Sequence, residues 1–154
     1  MGERISFTAN GHETEGYLAR PEIGGGPGII VIQEWWGLVP HIEQVADRFA
    51  ETGFVALAPD LYHGAKTSSP DEAGKLMMSL EISRAAADLA GAADCVLAQP
   101  GVAPRRAGVV GFCMGGALSL YAASRQRGID TRPEVYDADA WARTVRFFRT
   151  ELAG

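Results

Sequence analysis

The sequence has little of several features that would place a protein in a specialised class. Its 154 residues include only two cysteines, too few for a disulfide framework, and no run approaching 18 apolar residues, so no membrane helix and no membrane partner are predicted. The 14 Lys and Arg against 19 Asp and Glu give a formal charge of −5 without a basic cluster, which argues against nucleic acid as a partner. Polar residues rather than an apolar signal segment follow Met1, so we expect a cytoplasmic protein.

What remains is the composition of an ordinary globular protein. Apolar residues make up 47% of the chain and charged residues 21%. This length predicts one domain covering residues 1–154. We predict neither a cofactor nor a metal site.

Strand and helix patterns alternate along the chain after an opening hairpin. An Asn10-Gly11 turn predicts a hairpin with strands at Arg4 to Phe7 and Glu13 to Ala19. Continuous apolar runs predict three strands buried on both faces, at Ile29 to Ile32, Phe54 to Ala58 and Ala107 to Gly111. Helical spacing predicts four helices: from Pro40 until Gly53, from Asp71 to about Ala98, from Met114 to about Arg127, and from Asp137 to Leu152. Gly91 is the candidate position of a break in the second of these helices. This alternation predicts a three-layer α/β/α fold with a mostly parallel sheet and an N-terminal hairpin.

The ligand site of such a fold lies at the carboxyl ends of the parallel strands. Three loops follow the predicted buried strands there, at Gln33 to Pro40, Pro59 to Ala65 and Phe112 to Gly115. From the first two loops we predict that Trp36 and Tyr62 line a substrate pocket. The alternative for Trp35 and Trp36 is a role as apolar covers of the sheet end, and His63 is interpreted as a surface loop histidine.

The third loop carries a G-x-C-x-G pattern between a buried strand and a helix, in Gly111-Phe112-Cys113-Met114-Gly115-Gly116. A strand-to-helix turn of this kind is so tight that its flanking positions must lack a side chain, and it raises the central residue above the sheet. The N-terminus of the following helix favours a thiolate at Cys113, and the backbone N–H of Met114 points to where an oxyanion would form. The pattern therefore predicts a nucleophilic cysteine; the alternative is a buried structural cysteine in a glycine-rich turn.

Glu34 directly follows the first apolar strand and precedes Trp35 and Trp36. A carboxylate in such apolar surroundings is costly unless it has a partner or a task. We therefore predict a role for Glu34 beside Cys113, either in direct contact with the thiol or through one water. The alternative is a solvated loop glutamate.

Three sequence blocks together resemble the dienelactone hydrolase family, which has the α/β-hydrolase fold. They are Gln33-Glu34-Trp35-Trp36-Gly37-Leu38, Ala58-Pro59-Asp60-Leu61-Tyr62 and Gly111 to Leu118. The resemblance covers about residues 4–127 and the final helix. It implies that Cys113 attacks the carbonyl of an ester or enol-lactone, that the N–H groups of Met114 and Trp35 form the oxyanion hole, and that Glu34 holds the resting cysteine and helps to generate its thiolate.

The chain departs from this family in two respects. Well-known members bind a substrate carboxylate with an arginine early in the second helix, where this chain has Ser69-Pro70-Asp71-Glu72. Arg84 lies further along and is interpreted as a surface arginine, so the dienelactone itself is not expected as the substrate. The family triad also ends with an acid and then a histidine, whereas no histidine follows His63 here.

Residues 130–136 resemble the segment that follows the catalytic histidine in family members. We therefore expect that the last strands, with the acid and the base, are missing through a deletion or an unrecorded segment near residues 126–132. This gap predicts either a break in the chain between about Arg125 and Arg132 or a displaced final helix. It also predicts that Ala107 to Gly111 forms an exposed apolar sheet edge, through which an oligomer could form.

These observations lead to one preferred function and two alternatives. The preferred function is hydrolysis of a small-molecule carboxylic ester or lactone through Cys113. The first alternative is a catalytically incomplete remnant, acting at most as a binding or dimerising module. A thiol redox protein is the least favoured, because Cys95 lies in an alanine-rich helical stretch and no resolving cysteine is evident.

Overall fold

The computed structural model describes residues 1–9, 11–125, 129–131 and 140–152. Its strands are β1 (Glu3–Ala9), β2 (His12–Ala19), β3 (Gly26–Ile32), β4 (Val55–Pro59), β5 (Val102–Gly111) and β6 (Ile129–Thr131). Its helices are α1 (Pro40–Glu51), α2 (Pro70–Ser79), α3 (Ile82–Leu97), α4 (Met114–Arg125) and α5 (Ala140–Glu151). In this part of the chain, no helix has the length and apolar character needed to cross a membrane.

The six described strands form one sheet in the order β1-β2-β4-β3-β5-β6. Strands β1 and β2 form an antiparallel hairpin, and β2 is antiparallel to β4. Strands β4, β3, β5 and β6 are all parallel to one another. The predicted hairpin and mostly parallel sheet are therefore confirmed, although Asn10 of the predicted turn lies outside the described residues.

Two apolar clusters, one on each face of the sheet, make the fold three-layered. Alternate residues of a strand point to opposite faces, so Ile30 and Ile32 of β3 join one cluster while Ile29 and Val31 join the other. The first cluster includes core residues of α3 and α4, and the second includes core residues of α1 and α5. The predicted α/β/α layering is confirmed.

The long helix predicted from Asp71 is broken at a different position from the one expected. Helix α2 ends at Ser79, Leu80 is extended with φ −67° and ψ 116°, and α3 begins at Ile82. The prediction of a break at Gly91 is wrong because this glycine serves packing instead. A Cβ atom at Gly91 would lie 2.6 Å from Ala9 Cβ and 2.8 Å from the main-chain oxygen of Thr8, so glycine allows α3 to approach β1 closely.

Replacing Gly91 with alanine is expected to lower the free energy of unfolding by up to about 2 kcal/mol. Overpacking of a core costs about 1–3 kcal/mol, and the helix propensity gained from alanine recovers about 1 kcal/mol of it. Gly74→Ala in α2 is the matched control, because a Cβ there meets nothing within 4 Å and only the propensity gain remains. Urea unfolding of both variants tests this expectation, and an equal gain in stability from both would contradict the packing role of Gly91.

The final helix lies beside the helix that starts at Pro40. The ring of Trp141 on α5 is 4.6 Å from that of Phe49 on α1, and the guanidinium of Arg149 donates a hydrogen bond of 2.9 Å to the main-chain oxygen of Thr52. A displaced final helix is therefore not observed. The alternative outcome, a chain break between about Arg125 and Arg132, falls largely on residues 126–128, which lie outside the described residues.

The expectation that β5 is an exposed apolar edge is wrong. Strand β6 pairs with it in parallel, with Ala107 opposite Ile129 and Val109 opposite Thr131. Val109 and Val110 are fully or almost fully buried. The physical reason is that residues within the region of the expected gap form a short strand, which covers β5 and carries the chain back toward the carboxyl end of the sheet.

Candidate active site

Cys113 occupies the turn between β5 and α4, and its side chain is exposed to solvent. Its backbone has φ +54°, a left-handed conformation that is uncommon for residues other than glycine. The main-chain N–H of Gly115 donates to the oxygen of Phe112 at 2.8 Å, and that of Gly116 donates to the oxygen of Cys113 at 3.0 Å. The turn therefore holds the thiol above the sheet at the start of a helix, as the G-x-C-x-G pattern predicts.

The two glycines of the pattern are required by contacts with main-chain atoms. A Cβ at Gly111 would lie 2.1 Å from the oxygen of Gly115. A Cβ at Gly115 would lie 2.5 Å from the oxygen of Gln33 and 2.7 Å from that of Ile32. The first helical turn of α4 is thus in contact with the end of β3, which brings the Cys113 turn and the loop after β3 together.

Gln33 connects the loops that follow β3 and β4. Its side chain is fully buried, and its Oε1 accepts a hydrogen bond of 3.1 Å from the main-chain N–H of Leu61. Its Nε2 has no hydrogen-bond partner among the described residues. Sequence reasoning missed this role, although a long polar residue directly after a buried strand was the available signal.

Asp60 fixes the loop that carries Tyr62. It is 3% exposed, and its carboxylate accepts hydrogen bonds from the main-chain N–H of Tyr62 at 3.1 Å and of Gly64 at 2.8 Å. An aspartate that binds the backbone two residues ahead stabilises a turn. Sequence reasoning missed this role too, and the Pro59-Asp60 pair after the strand was its signal.

Tyr62 extends from this loop to the nucleophile turn. Its hydroxyl donates a hydrogen bond of 3.4 Å to Sδ of Met114, the residue after Cys113. Burial raises the pKa of Tyr62, and the nearby Cys113 thiolate raises it further. The structure therefore brings together Cys113, Met114 and Tyr62, all of which the sequence places in the site.

The remaining predicted site residues follow β3. Glu34, Trp35 and Trp36 are partly buried, and the two indole rings meet edge to face at 5.0 Å. Among the described residues, no hydrogen bond joins the Glu34 carboxylate to Cys113. The placement of Glu34 beside the Cys113 thiol, in contact or through one water, and the oxyanion role of the Trp35 and Met114 N–H groups stay predictions.

His63 is more than the surface loop histidine that the sequence suggests. Its side chain is 26% exposed, and its Nε2 lies 3.0 Å from Oδ2 of Asp88, a residue of α3 that is itself 3% exposed. This contact has the distance of an ion pair but not the direction of a hydrogen bond, whereas Oδ1 of Asp88 accepts a hydrogen bond of 3.0 Å from Thr14. None of the three histidines of the chain, His12, His41 or His63, is hydrogen-bonded to Cys113.

A cavity of about 200 Å³ lies beside Tyr62 and His63, between the loop after β4 and the α2–α3 junction. Apolar side chains of Leu61, Leu76 and Leu80 form part of its wall. Arg84, expected as a surface arginine, is exposed but borders this cavity. Tyr62 is thus shared between this cavity and the nucleophile turn, whose own residues do not line the cavity.

Comparison with known proteins places the chain in a family. The model of the dienelactone hydrolase family matches residues 14–136. "Protein usf" of Aquifex pyrophilus is 43% identical over 131 residues, covering 81% of this chain and 56% of that protein. The "Putative carboxymethylenebutenolidase" of Aquifex aeolicus is 36% identical over 148 residues, covering 90% of this chain and 59% of that protein.

Solved structures agree with the sequence comparisons. The crystal structure of the "Putative Dienelactone Hydrolase" of Klebsiella pneumoniae superposes with a TM-score of 0.78 at 26% identity, covering 89% of this chain and 62% of that one. The chain thus spans somewhat more than half the length of the relatives that it matches. Over that span, its sequence and its three-layer architecture agree with theirs, and the chain belongs to the dienelactone hydrolase family, with the α/β-hydrolase fold.

Proposed function

We propose that this chain acts on carboxylic ester or lactone bonds of small molecules, with Cys113 as the nucleophile. The observation that carries the proposal is the exposed thiol held at φ +54° between β5 and the N-terminus of α4. A cysteine at a helix N-terminus has its thiolate favoured by the helix dipole, and a strained turn aims it away from the sheet. Both cysteines are free, which fits a reducing cytoplasm.

The other site residues have separate roles in this proposal. The N–H groups of Trp35 and Met114 stabilise the negative oxygen of the tetrahedral intermediate. Glu34 holds the resting cysteine and assists formation of its thiolate. Trp36 and Tyr62 border the bound acyl group or leaving group.

The proposed acylation step is a simple exchange of bonds. Sγ of the Cys113 thiolate forms a bond to the carbonyl carbon, whose oxygen takes the negative charge. The oxygen then reforms its double bond, and the bond from carbon to the leaving oxygen breaks. The alcoholate departs with the electron pair and leaves a thioester on Cys113.

Peptide mapping after treatment with p-nitrophenyl acetate tests the proposal. We expect one acetyl group per chain, on the peptide that contains Cys113. Cys95 is the internal control, because it is half-buried and burial raises the pKa of its thiol. No label, or label only at other residues, would refute the role of Cys113.

A catalytically incomplete remnant is the second candidate. It is favoured by the finding that His12, His41 and His63 make no hydrogen bond with Cys113. Such a protein would act at most as a binding or dimerising module. Intact mass separates the two: a mass matching 154 residues favours the remnant, and a clearly heavier chain favours the complete enzyme.

A further inference from the structure

The Tyr62 hydroxyl is a strong hydrogen-bond donor with a weak acceptor. Its hydrogen bond of 3.4 Å ends on the thioether sulfur of Met114, and a thioether accepts hydrogen bonds only weakly. The hydroxyl is also partly withdrawn from water, because the residue is half-buried. A donor in this state gains free energy when a better acceptor, such as a charged oxygen, comes within reach.

The position of Tyr62 is fixed by the residues around it. The N–H groups of Leu61 and Tyr62 are each held by a buried side chain, Gln33 Oε1 at 3.1 Å and Asp60 Oδ1 at 3.1 Å. Its partner Met114 directly follows the nucleophile. The donor therefore needs little reorganisation to meet charge that develops at Cys113, which is the condition for effective electrostatic catalysis.

Tyr62 also keeps its proton under the conditions of the reaction. Burial and the neighbouring Cys113 thiolate both raise its pKa above 10.0, the ordinary value for tyrosine. The group is therefore a neutral O–H donor at neutral pH. Its proton is lost only in alkaline solution.

We propose that Tyr62 is a catalytic residue of the acylation step, donating a hydrogen bond to the oxygen that becomes negative when Cys113 attacks the carbonyl carbon. This inference rests on the proposed function. In the step, the hydroxyl exchanges Sδ of Met114 for the oxyanion while the bond from Sγ to carbon forms. No proton is transferred, and the hydrogen bond returns to Met114 once the leaving group departs with its electron pair.

Tyr62→Phe provides the test, with two reactions of Cys113 compared. Acylation by p-nitrophenyl acetate passes through an oxyanion, whereas alkylation by iodoacetamide requires only the thiolate. Loss of one oxyanion donor typically slows a reaction about 10²-fold or more, so we expect acylation to slow by about 10²-fold while alkylation keeps its rate. Tyr17→Phe is the matched control, because Tyr17 makes its hydrogen bonds with Asp47 and Gly2 and should leave both rates unchanged.

Each outcome decides the matter. An unchanged acylation rate, or an equal loss of acylation and alkylation, overturns the catalytic role of Tyr62 while leaving the proposed function intact. Absence of acylation in the unmodified chain overturns both. If the phenylalanine variant does not fold, 3-fluorotyrosine at position 62 replaces it: its more acidic hydroxyl should move the alkaline fall in acylation rate to lower pH, and an unmoved profile contradicts the inference.

Discussion

Replacing Cys113 with alanine is expected to abolish the release of p-nitrophenolate from p-nitrophenyl acetate, leaving only the rate of the uncatalysed reaction. The thiol is the exposed group that the turn between β5 and α4 holds above the sheet. Alanine retains the Cβ atom and the turn but removes the atom that forms the thioester. Stopped-flow absorbance of the released p-nitrophenolate measures the effect.

Cys95→Ala is the matched control for this substitution. The Cys95 side chain is half-buried in α3 and accepts a long hydrogen bond of 3.8 Å from Gln99. We expect this variant to release p-nitrophenolate as the unmodified chain does. If Cys113→Ala still released p-nitrophenolate above the uncatalysed rate, the nucleophile would have to be a residue other than Cys113.

The unmodified chain is expected to release about one equivalent of p-nitrophenolate and then to stall. Hydrolysis of the thioester requires a water activated by a base, and none of the three histidines is hydrogen-bonded to Cys113. His12 and His41 are exposed, and His63 is paired with Asp88. Loss of a triad member lowers turnover about 10⁴–10⁶-fold, so deacylation should be slower than in an enzyme with a complete triad by a comparable factor.

Active-site titration on protein of verified mass measures the burst and the steady rate separately. Added imidazole is a useful control once its own reaction with p-nitrophenyl acetate has been subtracted, because a free base in solution should then restart turnover by the protein only if deacylation is the blocked step. Sustained turnover without it would show that His41 or His63 serves as the base. Gln substitutions at these two positions would then identify which one.

The nucleophile turn could be predicted from the sequence because its causes are local. Gly111 and Gly115 are excluded from carrying a Cβ by atoms of the same turn and of the neighbouring strand end. The buried strands could be predicted equally well, since a strand buried on both faces must be a continuous apolar run. The nucleophile turn and the buried strands each depend on a few consecutive residues.

The contacts that position the site could not be predicted, because they join residues that are distant in the sequence. Gln33 meets Leu61, and His63 meets Asp88, only once the strands have been ordered into a sheet. The break at Leu80 has no glycine or proline to signal it; Leu80 packs against the core, and tertiary packing decides its conformation. Gly91 was expected to break the helix, but it lies within α3, where its small size allows the helix to pack against β1.

The left-handed backbone angles at the carboxyl edge of the sheet also bear on how such a chain would change under relaxed selection. Among the described residues, His63 and Cys113 are the only ones other than glycine with positive φ. Each such angle costs a side-chain-bearing residue about 1–2 kcal/mol, so substitution by glycine is an easy route to higher stability. A lineage released from any demand for chemistry would be expected to drift toward glycine at these two positions first. If Cys113 is the nucleophile that we propose, its left-handed angle is a case in which the fold gives up stability to hold a reactive group at this edge of the sheet.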